Sequence, residues 1–329
     1  MERYKIIHKK EDLANLYSQV DPCNFPGWRD HPLTGKFVER LYQISHRNSH
    51  PDASFALLLE GKPALLVQAT QNDGKLSWFD MPAHFSLRQG VNPIDASRIV
   101  ARAMRHIESL GLKSAWIDKG ILSSLEANAV DRICLERQAK MTITAHAVAD
   151  LRQNEDFLRR DIRESSRSLI NWGQRNLEMR YVNAENFDKE LLALYPVFHA
   201  RVSGSAKHGS EYWEVFFECI KQGYGEMSLG FYEGDLMAAL IVLDQGECAY
   251  YTSAVNDRER FDKPLGHWPL FSSMLRAKER GRRYYDVGEF YCSTWPINEK
   301  QDKIAYFKRG FTSGMIYNHS WEVSLNCSS

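Results

Sequence analysis

Residues 261–311 read FDKPLGHWPLFSSMLRAKERGRRYYDVGEFYCSTWPINEKQDKIAYFKRGF, and their periodicities decide the fold class. Leu265, Trp268, Phe271 and Leu275 recur at helical spacing, and Gly281 stands where a helix C-terminus favours positive φ. A helix over His267 to Arg280 is expected. Arg283 to Val287 is a short β-prone run between Gly281 and Gly288, as in a buried strand that follows directly on its helix. Such alternation belongs to the α/β class. The turn in front of the helix, Lys263-Pro-Leu-Gly266, offers backbone N–H groups at a positive dipole end, which suits an anion and a phosphate above all.

The same order of elements occurs earlier in the chain. Phe55 to Leu59, Glu60-Gly-Lys62 and Pro63 to Ala69 read as a β-hairpin, as do Leu229 to Tyr232, Glu233-Gly-Asp235 and Leu236 to Leu243. A third strand follows each, Leu76 to Met81 and Cys248 to Ala254. A helix comes next, over Pro93 to Leu110 in the first copy and Pro264 to Gly281 in the second. Turn glycine and helix-ending glycine are 50 residues apart in the first copy (Gly61, Gly111) and 47 in the second (Gly234, Gly281). An internal duplication is expected. The first copy continues with a strand over Ser114 to Asp118, a helix over Leu122 to Gln138 and a strand over Thr142 to Leu151. Helices over Asp161 to Gln174, Phe187 to Val202 and Glu211 to Gln222 bridge the copies, and Asp12 to Val20 is weakly helical.

Pro264-Leu-Gly266 before a helix, Asp286-Val-Gly288 after it, and Lys303-x-x-x-Phe307-Lys308-Arg309-Gly310-Phe311 beyond resemble the C-terminal signature of the FemAB-like branch of the GNAT acyltransferase superfamily. Ile162-Arg-Glu-Ser-Ser-Arg-Ser-Leu-Ile170 and Ala206-Lys-His-Gly209 are similar to further segments of that family. The resemblance covers roughly the C-terminal half. It implies two tandem GNAT-like units, each a mixed, mostly antiparallel sheet flanked by helices, divided here into residues 1–152 and 153–329. It also implies transfer of an acyl or aminoacyl group to an amine. The long paired-helix arm of the peptidoglycan-type members has no counterpart, because no heptad run is present.

Composition narrows the partners. With 43% hydrophobic and 26% charged residues the chain has a soluble, globular composition, and Lys+Arg and Asp+Glu are both 42, so no global field favours DNA, RNA or an anionic membrane. A tRNA partner would need a local basic patch. The basic run of Arg276, Lys278, Arg280, Arg282 and Arg283 is spread around its helix axis, and weak, salt-sensitive tRNA binding at most is expected. The longest apolar run, Met237 to Leu243, is too short to span a bilayer, and the N-terminus has no signal-peptide core. Six cysteines without CxxC spacing read as reduced thiols in a cytoplasmic protein, with no metal site.

Acyl transfer needs a held donor, an amine with a free lone pair, and donors aimed at the tetrahedral oxygen. In GNAT-type folds the donor phosphates lie on the turn before the central helix, so the resemblance makes Lys263, Leu265, Gly266 and His267 the cofactor-binding candidates. Of the superfamily's usual acetyl-CoA loop only Gly266 remains, and the same turn is also what an ordinary helix start looks like. Lys303, Lys308 and Arg309 are either a phosphate-neutralising group or a solvated basic face with Asp302 as partner. Arg163, Arg167 and Lys207 complete the substrate-binding candidates. For proton handling the residues are Glu289, Asp286 and His208. Asp286 stands where carboxylates commonly accept backbone N–H bonds, and Glu289 lies just past the expected strand end, in reach of an incoming amine. Trp28 and Lys36 either touch a ligand or close over the core.

The expected activity is N-acyl transfer from an acyl-CoA thioester or an aminoacyl-tRNA, with no tightly bound cofactor. The acceptor is a small-molecule amine: an amino sugar, a cell-envelope precursor or an amino-acid-like compound. CoA stands slightly ahead of tRNA. The alternative is a non-catalytic ligand-binding protein that keeps the fold.

Overall fold

The computed structural model describes residues 3–8, 10–17, 40–41, 43–44, 50–79, 81–119, 128–206, 208–257, 259, 263–294 and 298–325. Trp28, Lys36, Lys207 and residues 122–127 of the expected helix lie outside them.

The first half runs β1 (Tyr4–Ile7), α1 (Lys10–Tyr17), β2 (Phe55–Leu59), β3 (Lys62–Gln68), β4 (Thr70–Asn72), β5 (Lys75–Ser77), β6 (Ala83–Leu87), α2 (Pro93–Ser109), β7 (Ser114–Asp118), α3 (Ala129–Glu136) and β8 (Lys140–Asp150). The second runs α4 (Glu155–Asp161), α5 (Glu164–Asn176), β9 (Glu178–Val182), α6 (Lys189–Ser203), α7 (Ser210–Lys221), β10 (Gly225–Tyr232), β11 (Asp235–Gln245), β12 (Cys248–Asn256), α8 (His267–Glu279), β13 (Tyr284–Cys292), α9 (Glu299–Lys308) and β14 (Met315–Ser324). Both expected hairpins form. Their turns share one conformation, with positive φ at Glu60 and Gly61 (53°, 80°) and at Glu233 and Gly234 (54°, 88°), the type I′ pattern that matches strand twist.

All strands among the described residues join one mixed, mostly antiparallel sheet, whose main path is β1-β2-β3-β6-β7-β14-β8-β13-β12-β11-β10-β9. Read outward from β14 and β8, the two halves repeat: β7, β6, β3, β2, β1 on one side and β13, β12, β11, β10, β9 on the other. Two parallel pairs fall at matching places, β6 with β7 and β12 with β13, and β5 adds a third against β7. The fold is two GNAT-like units side by side; a duplication as their origin remains a proposal.

The units exchange strands. The last strand, β14, inserts between β7 and β8, while β8 pairs with β13 of the second unit. The ladder therefore crosses the proposed division at 152/153 in both directions. The cores follow. Trp321, Val323 and Leu325 pack with Phe85, Ile99 and Ile117 of the first unit, whereas Ala147, Ala149 and Leu151 pack with Phe271, Met274 and Tyr285 of the second. Fully burying such large side chains contributes about 1.5–3 kcal/mol each, so each unit draws part of its stability from the other's chain.

Several boundaries differ from expectation. The strand expected over Leu76 to Met81 stops at Ser77, and it is β6 that holds in the first unit the place β12 holds in the second. The helix expected over Asp161 to Gln174 is broken at Ile162 and Arg163, whose backbones are extended (ψ 138° and 134°), so Arg163 caps α5 instead of lying within a helix. The strand expected to end near Val287 continues to Cys292, because β8 supplies a pairing edge that local sequence does not reveal. Gly173 lets α5 press on α8: a Cβ there would lie 2.5 Å from that of Trp268, so this contact fixes where α8 begins. No helix among the described residues is long and apolar enough to cross a membrane.

Candidate active site

β12 and β13 run parallel but stay in register over only Cys248↔Tyr284, Ala249↔Tyr285 and Tyr250↔Asp286. Beyond that point β12 follows β11 to Asn256, and β13 follows β8 to Cys292. The strands part, and the opening lies beside Val287, Gly288 and Glu289. The first unit differs at the matching place. There β6 and β7 are in register at Ala83↔Ile117 and His84↔Asp118 only, but at the last pair the two fully buried side chains bond across the seam, Nδ1 to Oδ1 at 2.8 Å. Next to it Lys119 is paired with Asp131, which also accepts from Trp321 Nε1 at 3.0 Å.

Two irregularities in β13, between Asp286 and Gly288 and between Glu289 and Tyr291, aim its side chains. Bulges of this kind re-aim a strand where it meets a site. Gly288 takes φ of +107°, which L side chains rarely adopt, and a Cβ on it would stand 2.8 Å from Lys308 Nζ and displace the lysine's tip. Asp286, 4% exposed, accepts from Gly288 N through Oδ1 (2.7 Å) and meets His146 Nδ1 through Oδ2 (3.0 Å). The other ring nitrogen of His146, Nε2, lies 3.8 Å from Glu289 Oε2. Lys308 Nζ donates to the Glu289 carbonyl at 2.6 Å.

Burial governs the charges here. It raises the Glu289 carboxyl above its ordinary value, against the pull of His146 and Lys308, with the Asp286 charge adding to the rise. It lowers the Lys308 ammonium, against Asp286 and Glu289. An acid pushed up beside a base pushed down is the arrangement that readies side chains for proton transfer near neutral pH. Cys248 is held well above the ordinary thiol value, by burial first and Asp286 second, which leaves it inert as a nucleophile.

The remaining candidates fall into separate places. Ring contacts of His267 with Phe307 (5.2 Å) and Phe311 (5.9 Å) bring the start of α8 against the end of α9, so the turn and Lys308 share one neighbourhood. Of the expected phosphate cradle, Leu265 N and His267 N already donate to turn carbonyls, of Lys263 and Pro264. The Leu265 side chain is core, packed with Leu177, Met237 and Ala238. Gly266 is the N-cap, close against the Asn256 amide, and Lys263 is half-buried. Arg163 stacks on Tyr306 (3.6 Å), donates from its guanidinium to the Tyr306 carbonyl and from its backbone N–H to Gly310 O just past α9, so it clamps the helix that carries Lys308. Arg167 bonds the carbonyls of Ile162 and Arg160 at the α4–α5 junction. Lys303 pairs with Glu299, not Asp302, in a solvated i,i+4 pair, and Arg309 is exposed near Phe290. His208 stacks on Tyr212 (3.9 Å) within the aromatic group of α6 and α7 rather than joining Asp286 and Glu289. Among the described residues no group of three or more His, Cys, Asp or Glu is placed to hold a metal ion.

His146 and Asn256 escape sequence reading. A lone histidine 140 residues upstream of Asp286 carries no local signature; only the strand exchange puts it there.

His267 makes a testable prediction about acid stability. Burial lowers its imidazole to about 4, and Nδ1 has no hydrogen-bond partner among the described residues. The folded form keeps it neutral while the unfolded chain protonates it, so stability falls as pH drops from about 6.5 towards 4. The loss is on the order of 3 kcal/mol. Urea midpoints at pH 7 and pH 5 should separate more for the parent than for His267→Phe; equal separations would refute the assignment.

No family model and no curated protein matches the sequence. Solved structures do. FemX superposes with a TM-score of 0.68 at 11% identity, covering 98% of both chains. L-PGS from Bacillus licheniformis gives 0.58 at 11% identity, covering 91% of this chain and 93% of its own. A tandem GNAT protein from the clavulanic acid biosynthesis pathway gives 0.54 at 10% identity, covering 99% and 100%. At such identities the likeness speaks for the fold alone. This chain has the two-unit GNAT fold of the FemAB-like branch.

Proposed function

We propose that the protein is an N-acyltransferase whose working site is the opening between β12 and β13 of the second unit. The observation that carries this reading is the convergence of Glu289, with its raised carboxyl, and Lys308, with its lowered ammonium, where the two strands part. Glu289 takes the proton that frees an incoming amine. The amine nitrogen then bonds to the acyl carbon as the bond to the donor's sulfur or ester oxygen breaks, and the second amine proton leaves with the departing group. Lys308, in its charged form, supplies the positive charge that the tetrahedral oxygen needs. The first unit serves as scaffold, since its equivalent seam is bonded shut by His84 and Asp118.

The donor is an acyl-CoA thioester ahead of an aminoacyl-tRNA. The tandem GNAT neighbour, a structure determined without AcCoA, favours that type of donor. The basic residues between 276 and 283 are also engaged. Arg276 holds Glu226, Arg280 holds Asp244, Arg283 holds Glu247, Lys278 bonds the carbonyls of Leu151 and Gln153, and Arg282 bonds that of Gly246. Such arginines offer little to a phosphate backbone. The acceptor is an amine of an amino sugar, a cell-envelope precursor or an amino-acid-like compound.

Purified protein should be tested separately with acyl-CoA thioesters and charged tRNAs, for binding and for turnover with amine acceptors. Thioester turnover with weak, salt-sensitive tRNA binding is expected; tight binding of a charged tRNA at physiological salt would reverse the donor order. In the same assay Lys308→Ala should lower binding or turnover several-fold at a stability cost of about 1 kcal/mol, one hydrogen bond. Lys62→Ala, on the first unit's hairpin, should match the parent. Parental turnover by Lys308→Ala would remove the lysine from the site.

A further inference from the structure

The strand exchange gives the second unit's site a component from the first, and its geometry supports a specific role. β8 sets His146 directly opposite Glu289 in the register of β13, and the bulge after Asp286 brings that carboxylate onto the same imidazole. Both Asp286 oxygens are engaged, one by Gly288 N and one by His146 Nδ1. An ionised carboxylate only accepts, so the neutral ring must carry its proton on Nδ1. Nε2 then presents a lone pair towards Glu289 Oε2, 3.8 Å away. A side-chain rotation of the half-buried glutamate or one bridging water closes that gap.

We propose that His146 is the positioning residue behind Glu289, held by Asp286 in the tautomer whose Nε2 receives the proton that Glu289 takes from the amine. This rests on the acyltransfer reading above. The steps balance. The substrate ammonium gives one proton to the Glu289 carboxylate, the resulting carboxylic acid gives it to Nε2, and the imidazolium, 14% exposed, releases it to solvent. Glu289 is thereby ionised again for the next turnover.

The other groups facing this chain of transfer are few. On α9, Lys308 donates to the Glu289 carbonyl, and on β12, Cys248 lies near Asp286 with its thiol protonated and Tyr250 is the register partner of Asp286. On β14 the register partner of His146 is Ile316, which is uncharged. The lysine and the histidine therefore approach Glu289 from different elements, one fixing its backbone and one taking its proton.

His146→Asn separates this role from a structural one, because the asparagine amide can still donate to Asp286 but has no second ring nitrogen. Acetyl-CoA, and separately a charged tRNA, serve as donor probes. Whichever the parent uses, His146→Asn should bind it unchanged, keep KM within about two-fold and lose kcat about 100-fold at neutral pH, with recovery as pH rises. Protein labelled with 15N-histidine supplies a reading independent of turnover. The resonance missing from His146→Asn should belong to an Nδ1-protonated neutral ring, and Asp286→Asn should abolish that tautomer preference. A kcat and pH profile in His146→Asn equal to the parent's would overturn the inference alone, as would an Nε2-protonated ring. No turnover by the parent with either donor would overturn the acyltransfer reading and this step with it.

Discussion

A chain ending at Gly314 should lose the fold of its first unit, although every residue removed lies at the far end of the sequence. β14 is the strand between β7 and β8, paired to β7 from Ser320↔Asp118 to Ser324↔Ser114 and to β8 from Met315↔Ala147 to Glu322↔Lys140. Without it two ladders open in the middle of the sheet, and their N–H and C=O groups have no replacement. Trp321, Val323 and Leu325 also leave the first core, at about 1.5–3 kcal/mol for each large side chain. The Lys119–Asp131 pair then loses the Trp321 N–H that completes it, and a buried pair short of its hydrogen bonds is costly. The sum exceeds the roughly 5–15 kcal/mol of a typical domain when the broken ladders are included. Hydrogen exchange should show protection lost through β2, β3, β6 and β7 and weakened in β8. A milder form is Trp321→Ala, expected to cost about 3–5 kcal/mol in a denaturant titration. A truncated chain that unfolded at the parental temperature would mean the exchanged strand is ornamental to the first unit.

Glu289→Gln should produce the largest functional loss compatible with an intact fold. Glutamine fills the same space and keeps a polar tip at a position 30% exposed to the opening, so circular dichroism and the unfolding midpoint should be near parental. What disappears is the proton acceptor. General-base contributions run to about 10²–10⁴-fold, and that fall is expected in kcat with KM little altered. The pH dependence has a definite sign. Burial raises the Glu289 carboxyl, and only its ionised form accepts a proton, so parental activity should decline as pH falls through that raised value. In Glu289→Gln this acid limb should be absent from whatever activity remains. A parental kcat in the Glu289→Gln protein would leave the opening between β12 and β13 as a place where positioning alone drives the reaction, and Glu289 would leave the mechanism.

Much of the second unit was legible along the chain because its cues are local. The helix from His267 follows from apolar spacing, its end from Gly281, and both hairpin turns from a glutamate–glycine pair whose positive φ values any nearby strands would accept. The nearness of Asp286 and Lys308 was also readable, through their resemblance to a family signature, and that of Glu289 from its place just past the expected strand end, because β13 and α9 are neighbours in sequence. The surroundings of other candidates were not legible, because they depend on contacts made only on folding. Lys303 and Arg167 carry charges that the folded chain engages with Glu299 and with backbone carbonyls. Leu265 lies in a turn suited to an anion, yet its side chain is needed in the core beside Leu177 and Met237.

Local chemistry along the chain was enough to set the elements, their order and the recurrence of that order: helical and strand periodicity and turn conformation depend on residues a few positions apart. Which neighbour each strand would meet was left to the assembled fold. An alternating strand such as Thr142 to Asp150 or Met315 to Ser324 presents the same pattern whichever edge it joins, and only the competition among all edges selects a partner. That selection sent β14 into the first unit and β8 to the second. It placed His146 between Asp286 and Glu289, and so made contacts that no local reading of the chain contains.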